Sequence, residues 1–281
     1  MTTNANLPAA AAGAFQLGDM TVYRMGFGAM RVTGDGIWGP PKDHNNALAV
    51  LRRAVELGVN LIDTADSYGP NVSEELIAEA LHPYPDGLLI ATKGGMARSG
   101  PNQWQTDGRP EHLREVCEGS LRRLKVDQID LYQFHRPDPK VPFEDSVGEI
   151  ARMQSEGKIR HVGLSNVTVD QLHKAQKIVP VVSVQNRYNI SDRASEEVLQ
   201  ACERENIGFL PWAPLMGSSS KLESVARAHN ATTGQVTLAW LLWHSPAMLP
   251  IPGTSSIKHL EENVAAASLN ISDSEFESLR G

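Results

Sequence analysis

Short apolar runs alternate along the chain with segments in which apolar residues recur every three or four positions. The runs indicate buried strands, and the periodic segments indicate helices. Strands are predicted at 21–28, 60–63, 88–92, 129–134, 161–164, 181–185, 208–211 and 249–251. Helices are predicted at 45–57, 73–81, 110–124, 143–156, 168–175, 194–205, 236–243 and 257–267. Strict alternation is typical of parallel βαβ units. Eight units in 281 residues predict an α/β fold, a (β/α)8 TIM barrel with its active site at the C-terminal face of the strands.

The first residues differ in composition from the rest. We expect residues 1–15, with their alanine run, to form a flexible N-terminal segment, and residues 16–281 to form a single barrel domain. The start lacks a basic region followed by an apolar core, so it does not resemble a secretory signal. No apolar stretch is long enough to span a bilayer. The simplest expectation is a cytoplasmic protein without a membrane partner.

Charge and cysteine content argue against further classes of protein. The net charge of −7, from 33 acidic and 26 basic residues, disfavours a nucleic-acid partner, which usually needs a basic patch. Cys117 and Cys202 form neither a CxxC motif nor a disulfide framework. Each falls on the apolar stripe of a predicted helix, so we expect both to be buried in the core.

Four proton-handling residues lie at or just beyond the carboxyl ends of three predicted strands. Asp63 opens the segment D-T-A-D-S-Y-G, which holds Tyr68, while Lys93 and His135 each close an apolar run. Taken singly, each has an ordinary explanation as a helix cap, a solvated lysine or a loop residue. Their joint placement at strand ends, where barrel enzymes hold catalytic groups, indicates an active site.

The four side chains suit the reduction of a carbonyl group. Tyr68 could donate the proton, because a phenol with a pKa of about 10 is still protonated at neutral pH. Lys93 is expected to bring that pKa down toward the working range, and Asp63 to hold Lys93. His135 could donate a hydrogen bond to the substrate oxygen.

This set resembles the catalytic tetrad of the aldo-keto reductases, in a compact bacterial-type member. R-H-V-G-L-S-N at 160–166 resembles a second signature of that family, and F-L-P-W-A-P-L at 209–215 resembles its seventh strand and following loop. The resemblance covers about residues 18–279. It implies reduction of aldehydes or ketones to alcohols, with hydride from NADPH, or alternatively NADH, and a proton from Tyr68. It implies a small-molecule carbonyl partner and no metal, and leaves the substrate and the oligomeric state open.

The cofactor site follows from the same resemblance. No G-x-G-x-x-G follows a strand, so a Rossmann domain is unsupported, whereas I-P-G-T-S-S at 251–256 opens a helix and suits a phosphate. The resemblance assigns nicotinamide contacts to Ser165, Asn166 and Gln185, stacking to Trp212, the 2′-phosphate to residues 254–259, and adenine to Glu262 and Asn263. The full set of expected cofactor residues is Gly28, Met30, Asp63, Ser165, Asn166, Gln185, Trp212, Ala213, Pro214, Leu215, Gly217, Gly253, Thr254, Ser255, Ser256, Lys258, His259, Glu262 and Asn263. The best-known members carry lysine where Gly253 stands and arginine where His259 stands.

Two long loops, 31–43 and 94–108, are predicted to overhang the barrel mouth. The expected substrate pocket comprises Met30, Trp38, Tyr68, Trp104 and His135. Because no long loop follows the helix predicted at 272–276, we expect this pocket to be open.

Other functions fit the sequence less well. A pyridoxal-type reductase is a narrower alternative, and a non-catalytic nicotinamide-nucleotide-binding regulatory protein is an alternative of another class. A metal-dependent barrel hydrolase is disfavoured, because only His135 and His161 of the nine histidines lie close to a predicted strand.

Overall fold

The computed structural model describes residues 7–280. The strands are β1 (Ala14–Leu17), β2 (Met20–Tyr23), β3 (Phe27–Gly28), β4 (Leu61–Asp63), β5 (Leu89–Gly94), β6 (Met96–Gly100), β7 (Gln103–Thr106), β8 (Ile129–Phe134), β9 (Ile159–Ser165), β10 (Val181–Arg187) and β11 (Gly208–Trp212). The α-helices are α1 (His44–Glu56), α2 (Val72–Leu81), α3 (Pro110–Leu124), α4 (Phe143–Ser155), α5 (Val169–Gln176), α6 (Glu196–Glu205), α7 (Ser220–Ala228), α8 (Thr233–His244), α9 (Ile257–Ala265) and α10 (Asp273–Ser278). Short 3-10 helices cover Pro8–Ala12, Ala29–Val32 and Ala266–Ser268.

Seven strands form one parallel sheet in the order β11, β10, β9, β8, β5, β4, β3. The segment predicted as the eighth strand connects its two edges. Leu249 N donates to Phe209 O at 2.8 Å, and Gly26 N donates to Pro250 O at 2.9 Å. This segment does not form a regular strand, because Pro250 and the proline at 252 have no N–H for a ladder. The predicted TIM-barrel fold is confirmed, with an irregular eighth member.

Alternation of side chains along the strands places the chemistry above an apolar interior. The interior cluster consists of Leu17, Val22, Leu61, Leu89, Ala91, Leu131, Leu210, Leu249 and Ile251. Asp63, Lys93 and Gln133 each lie two residues after a member of that cluster. Their side chains therefore lie on the same interior face of the sheet, nearer to the carboxyl ends of β4, β5 and β8. A second, larger apolar cluster joins the helices to the outside of the sheet.

The N-terminal region differs from the prediction. The predicted strand 21–28 is two elements, since β2 pairs with β1 in an antiparallel hairpin and only β3 joins the barrel. Leu17 and Val22 of the hairpin are buried in the interior cluster. A Cβ placed on Gly208, at the start of β11, would lie 2.7 Å from the Leu17 side chain. The hairpin thus closes the amino-terminal end of the barrel.

Part of the segment expected to be flexible is built into this closure. Residues 1–6 lie outside the described residues. From Pro8 to Ala12 the chain forms a 3-10 helix, whose Ala9 is buried and donates its N–H to Leu57 O at 3.0 Å. Residues 8–17 thus form regular elements in which Ala9, Ala12 and Leu17 are buried, and the flexibility expected of residues 1–15 stays a prediction.

Two further differences concern connections. Helix α7 was not predicted, and the segment 94–108, expected to be a loop, contains the antiparallel hairpin of β6 and β7. Cys117 and Cys202 are buried free thiols, as predicted. Within residues 7–280, no helix is both long and apolar enough to cross a membrane.

Candidate active site

Lys93 is the centre of the candidate site. Its side chain is fully buried, and its ammonium donates to Asp63 Oδ2 at 2.6 Å, Thr64 O at 2.8 Å and Tyr68 Oη at 3.3 Å. An ammonium has three N–H donors, so each has an acceptor. Strands β4 and β5 are hydrogen-bonded neighbours, which brings the ends carrying Asp63 and Lys93 together. The structure thus brings three of the four predicted catalytic residues into one hydrogen-bonded group.

Two glutamines fix the other oxygen of the aspartate. Asp63 Oδ1 accepts hydrogen bonds from Gln133 Nε2 at 2.9 Å and from Gln185 Nε2 at 2.8 Å. Gln133 was missed by the sequence analysis, although alternation along β8 places it on the interior face. Gln185 was expected to bind a nicotinamide carboxamide. Its amide nitrogen orients Asp63 instead, and the carboxamide contact of Gln185 stays a prediction.

Three aromatic side chains meet edge to face at the mouth. The Tyr68 ring centroid lies 6.0 Å from that of His135 and 6.3 Å from that of Trp104, at interplanar angles of 83° and 85°. His135 Nδ1 lies 3.4 Å from Ser67 Oγ, a partner that the sequence analysis also missed. When the Ser67 hydroxyl donates to Nδ1, the proton of a neutral imidazole resides on Nε2. The structure therefore places His135 and Trp104 beside the phenol, and their role in a substrate pocket stays a prediction.

Burial controls the proton affinities of the site. It raises the pKa of Tyr68 above its ordinary value, and the lowering by Lys93 is smaller. The expected net lowering of this pKa is therefore wrong. For Lys93, burial lowers the pKa, but Asp63 and Tyr68 together outweigh it and leave the pKa raised. Desolvation holds the pKa of His135 well below its ordinary value. At neutral pH the site holds a phenol, an ammonium and a neutral imidazole.

The residues expected around the nicotinamide form a second chain of hydrogen bonds. Trp212 Nε1 donates to Asn166 Oδ1 at 3.1 Å, and Asn166 Nδ2 donates to Ser165 Oγ at 3.0 Å and to His135 O at 3.0 Å. Ser165 Oγ in turn donates to Gln185 O at 2.8 Å. These residues lie at the carboxyl ends of β9, β10 and β11, next to the tetrad. Ala213, Pro214, Leu215 and Gly217 follow in the loop after β11.

The expected phosphate segment sits against the first barrel strand. A Cβ on Gly253 would lie 2.6 Å from Gly28 O, and a Cβ on Gly28 would lie 2.6 Å from Ile251 O. This close approach of backbones explains glycine at 253, where the best-known members of the family carry lysine. Beyond it, Ser256 caps α9 by accepting the His259 N–H.

The remaining predicted cofactor residues flank this helix start. Thr254 Oγ1 accepts from Ser256 N at 3.0 Å, and Ser255 O accepts from Asn46 Nδ2 at 2.8 Å. The Lys258 side chain is 82% exposed and lies 3.8 Å from Glu262, while Asn263 is buried. Met30 is in the 3-10 helix after β3. Within residues 7–280, no three His, Cys, Asp or Glu side chains are grouped as metal ligands would be.

Comparison with known proteins assigns the chain to a family. The model of the Aldo/keto reductase family matches residues 24–221 and 218–281. The chain belongs to this family. It is 55% identical over 276 residues to an uncharacterized oxidoreductase of Schizosaccharomyces pombe, covering 96% of this chain and 90% of that protein. It is 43% identical over 278 residues to pyridoxine 4-dehydrogenase of Escherichia coli, covering 95% and 97%.

A solved structure agrees with the assignment. An aldo-keto reductase of Klebsiella pneumoniae in complex with NADPH superposes with a TM-score of 0.78 at 25% identity, over 95% of this chain and 93% of that chain. The resemblance inferred from the tetrad is confirmed, as is the class of NAD(P)H-dependent oxidoreductase.

This aldo/keto reductase also buries an acid behind the tetrad. Asp66 is 4% exposed, and its Oδ1 has no hydrogen-bond partner among residues 7–280. Glu74, fully buried and paired with Arg123 at 2.6 Å, adds electrostatic repulsion. Burial first, and Glu74 second, raise the pKa of Asp66 to about 8. Its carboxyl group therefore stays largely protonated at neutral pH.

Ionisation of Asp66 should lower the stability of the fold as the pH rises. An acid whose pKa is about 8 when folded, and about 3.9 when unfolded, binds more protons in the folded state between these values. The contribution of Asp66 to the free energy of unfolding should therefore fall from about pH 4 and level off above about pH 8, by on the order of a few kcal/mol. Asp66→Asn, which cannot ionise, should remove most of this slope in urea unfolding at pH 5, 7 and 9.

The matched control is Asp107→Asn. Arg109 lowers the pKa of Asp107, so its titration is complete below that pH range and the control should keep the wild-type slope. Parallel stability curves for Asp66→Asn and wild type would show that Asp66 does not titrate there.

Proposed function

We propose that this protein reduces aldehydes or ketones to alcohols with NADPH, and that Tyr68 donates the proton. The observation that carries the proposal is the group formed by Asp63, Lys93 and Tyr68, with Lys93 Nζ 2.6 Å from Asp63 Oδ2 and 3.3 Å from Tyr68 Oη. The related Klebsiella pneumoniae structure in complex with NADPH supports the choice of cofactor.

The chain offers a suitable surface for such a cofactor. Trp212 is only half-buried beside Asn166, so its indole can stack on a flat ring next to the tetrad. The start of α9 presents helix N–H groups, which favour a phosphate. When bound, NADPH supplies the hydride.

Each tetrad residue then has a separate task. Tyr68 holds the proton to be transferred to the substrate oxygen, and the Lys93 ammonium stabilises the phenolate that results. Asp63 keeps Lys93 in place, while His135 can donate from Nε2 to the same substrate oxygen. Together these groups supply the proton and stabilise the charge that develops on oxygen.

Pyridoxal is a second candidate substrate. The relative in Escherichia coli, 43% identical, is a pyridoxine 4-dehydrogenase, and a pyridine aldehyde is flat enough to lie against Trp104. The pocket residues alone do not favour it over other aromatic aldehydes.

Two measurements test the proposal. Fluorescence titration measures binding of NADPH and NADH, and nicotinamide absorbance then reports turnover with aldehydes, ketones, quinones and pyridoxal. We expect NADPH oxidation with at least one carbonyl class. Cofactor binding without turnover of any of them would instead favour a regulatory, non-catalytic protein.

We predict a moderate preference for NADPH over NADH. The start of α9 can supply amide donors and the basic side chains of Lys258 and His259, and residues 254–259 contain no arginine that could bind a phosphate in a bidentate way. The preference should therefore be on the order of 1–3 kcal/mol, roughly 5- to 150-fold in Kd. Lys258→Ala/His259→Ala should reduce the Kd ratio toward one. This double variant keeps Ser256, because Ser256 caps the helix and its loss would lower the free energy of unfolding by about 1 kcal/mol.

His173→Ala/Lys174→Ala serves as the control, since it removes the same two residue types from α5. It should leave the ratio unchanged. Equal affinity of the wild type for both cofactors would show that this segment does not read the 2′-phosphate.

A further inference from the structure

Arg98 has all of its N–H donors occupied by backbone oxygens at the barrel mouth. Nε donates to Gln103 O at 2.9 Å, and Nη1 donates to Ile37 O at 2.8 Å and Ser67 O at 3.0 Å. Nη2 donates to Gly36 O at 2.9 Å and Gly100 O at 3.2 Å. A guanidinium group has five N–H donors, so none is left for a ligand.

These five acceptors belong to three separate loops. Residues 36 and 37 are in the loop after β3, Ser67 precedes the proton donor in the loop after β4, and residues 100 and 103 are in the hairpin of β6 and β7. No other side chain described in residues 7–280 hydrogen-bonds to all three. Arg98 therefore sets the relative positions of the three loops that surround Tyr68.

The Arg98 guanidinium group also lies against two tryptophan rings. Its central carbon lies 3.7 Å from the Trp104 ring centroid and 5.7 Å from that of Trp38. Trp104 in turn contacts Tyr68 and His135, with ring centroids 6.3 Å and 6.4 Å away. Stacking on an immobilised cation fixes the plane of Trp104 beside the two groups that would touch the substrate oxygen.

We infer that Arg98 is a positioning residue that fixes Trp104 as a rigid wall of the substrate pocket. The substrate class that this wall selects is a flat, uncharged aromatic carbonyl. An arginine at an active-site mouth commonly binds a carboxylate or phosphate of the substrate. Arg98 cannot take that role, because all of its N–H groups already donate to backbone oxygens. This inference rests on the proposed carbonyl reduction.

The test compares Arg98→Lys with wild type on benzaldehyde, 4-carboxybenzaldehyde and propanal. Lysine keeps the charge but has three donors and no flat face. We expect KM for both aromatic aldehydes to rise about 10-fold or more, because small displacements of a positioning group are costly. KM for propanal and kcat should change less than about 3-fold, and the pH profile should keep its shape, because Lys93 still holds the Tyr68 hydroxyl by its own hydrogen bond. Kd for NADPH, measured by fluorescence, should stay within about 2-fold, which also shows that the variant is folded.

Arg109→Lys is the matched control, since Arg109 is exposed and, among residues 7–280, forms a salt bridge only with Asp107. It should leave all three substrates unchanged. Two results would overturn the inference: an Arg98→Lys enzyme with wild-type KM values, or a loss confined to 4-carboxybenzaldehyde. The latter would make Arg98 a direct anion ligand.

A second variant decides the matter if Arg98→Lys does not fold. Trp104→Leu removes the wall and leaves Arg98 in place, and it should lower the preference for benzaldehyde over propanal by about 10-fold. An unchanged preference would show that Trp104 does not form a wall of the substrate pocket. Failure of the wild type to reduce any of the three aldehydes would contradict the proposed function itself, whereas activity that is insensitive to both variants would contradict only this inference.

Discussion

Replacing Tyr68 with phenylalanine is expected to lower kcat for carbonyl reduction by about 10²–10⁴-fold and to leave NADPH affinity nearly unchanged. The substitution removes one hydroxyl group, which accepts a hydrogen bond from Lys93 Nζ at 3.3 Å. It keeps the ring, so the edge-to-face contacts with His135 and Trp104 remain. The loss should therefore appear in the chemical step, which single-turnover oxidation of bound NADPH measures directly.

Tyr84→Phe provides the control for loss of a half-buried, hydrogen-bonded phenol hydroxyl. The Tyr84 hydroxyl donates to Leu124 O at 2.8 Å. Tyr84 comes before the start of β5 and therefore lies at the opposite end of the barrel from Tyr68. This variant should keep wild-type kcat. If Tyr68→Phe also kept kcat within about 3-fold of wild type, another group would have to be the general acid.

The pH dependence of reduction gives an independent check. Burial raises the pKa of Tyr68, so its hydroxyl stays protonated at neutral pH. Reduction needs this protonated form, and kcat should be level through neutral pH and fall only in alkaline solution. A fall in kcat already near pH 7 would indicate a donor of lower pKa.

Local sequence patterns were sufficient to find the groups at the strand ends. Asp63, Lys93 and His135 each follow an apolar run, and the period of two along a strand determines which face each side chain shares. The same argument could have identified Gln133, which lies two residues before His135 on β8. These positions are predictable because each of them depends on the alternation of side chains along a single strand.

Contacts between distant loops could not be predicted in this way. Arg98 reaches the carbonyl oxygens of Gly36 and Ile37, more than sixty positions earlier in the chain, and backbone oxygens carry no residue-specific signal. The burial of the first hairpin and the close approach of Gly28 and Gly253 likewise depend on how distant segments meet in the closed barrel. The expected lowering of the Tyr68 pKa failed for a similar reason, since the degree of burial is a tertiary property.

Replacing Lys93 with methionine is expected to damage stability and catalysis together. The ammonium is fully buried, and its removal leaves Asp63 Oδ2 and Thr64 O without the donor they now share. Breaking a buried ion pair by removing one partner typically costs about 3–5 kcal/mol, which urea unfolding would measure. It also removes the cation that stabilises the Tyr68 phenolate, so kcat should fall by about 10²-fold or more.

A double variant separates the two effects. In Asp63→Asn/Lys93→Met no charge is left unpaired, and the asparagine oxygen can still accept from Gln133 and Gln185, which now donate to Asp63 Oδ1. Much of the lost free energy of unfolding should return, because the desolvated carboxylate is gone. The rate should not return, since neither substitution restores a cation beside Tyr68. Recovery of kcat along with stability would mean that Lys93 acts only by holding the fold, and the tetrad chemistry proposed for it would then be wrong.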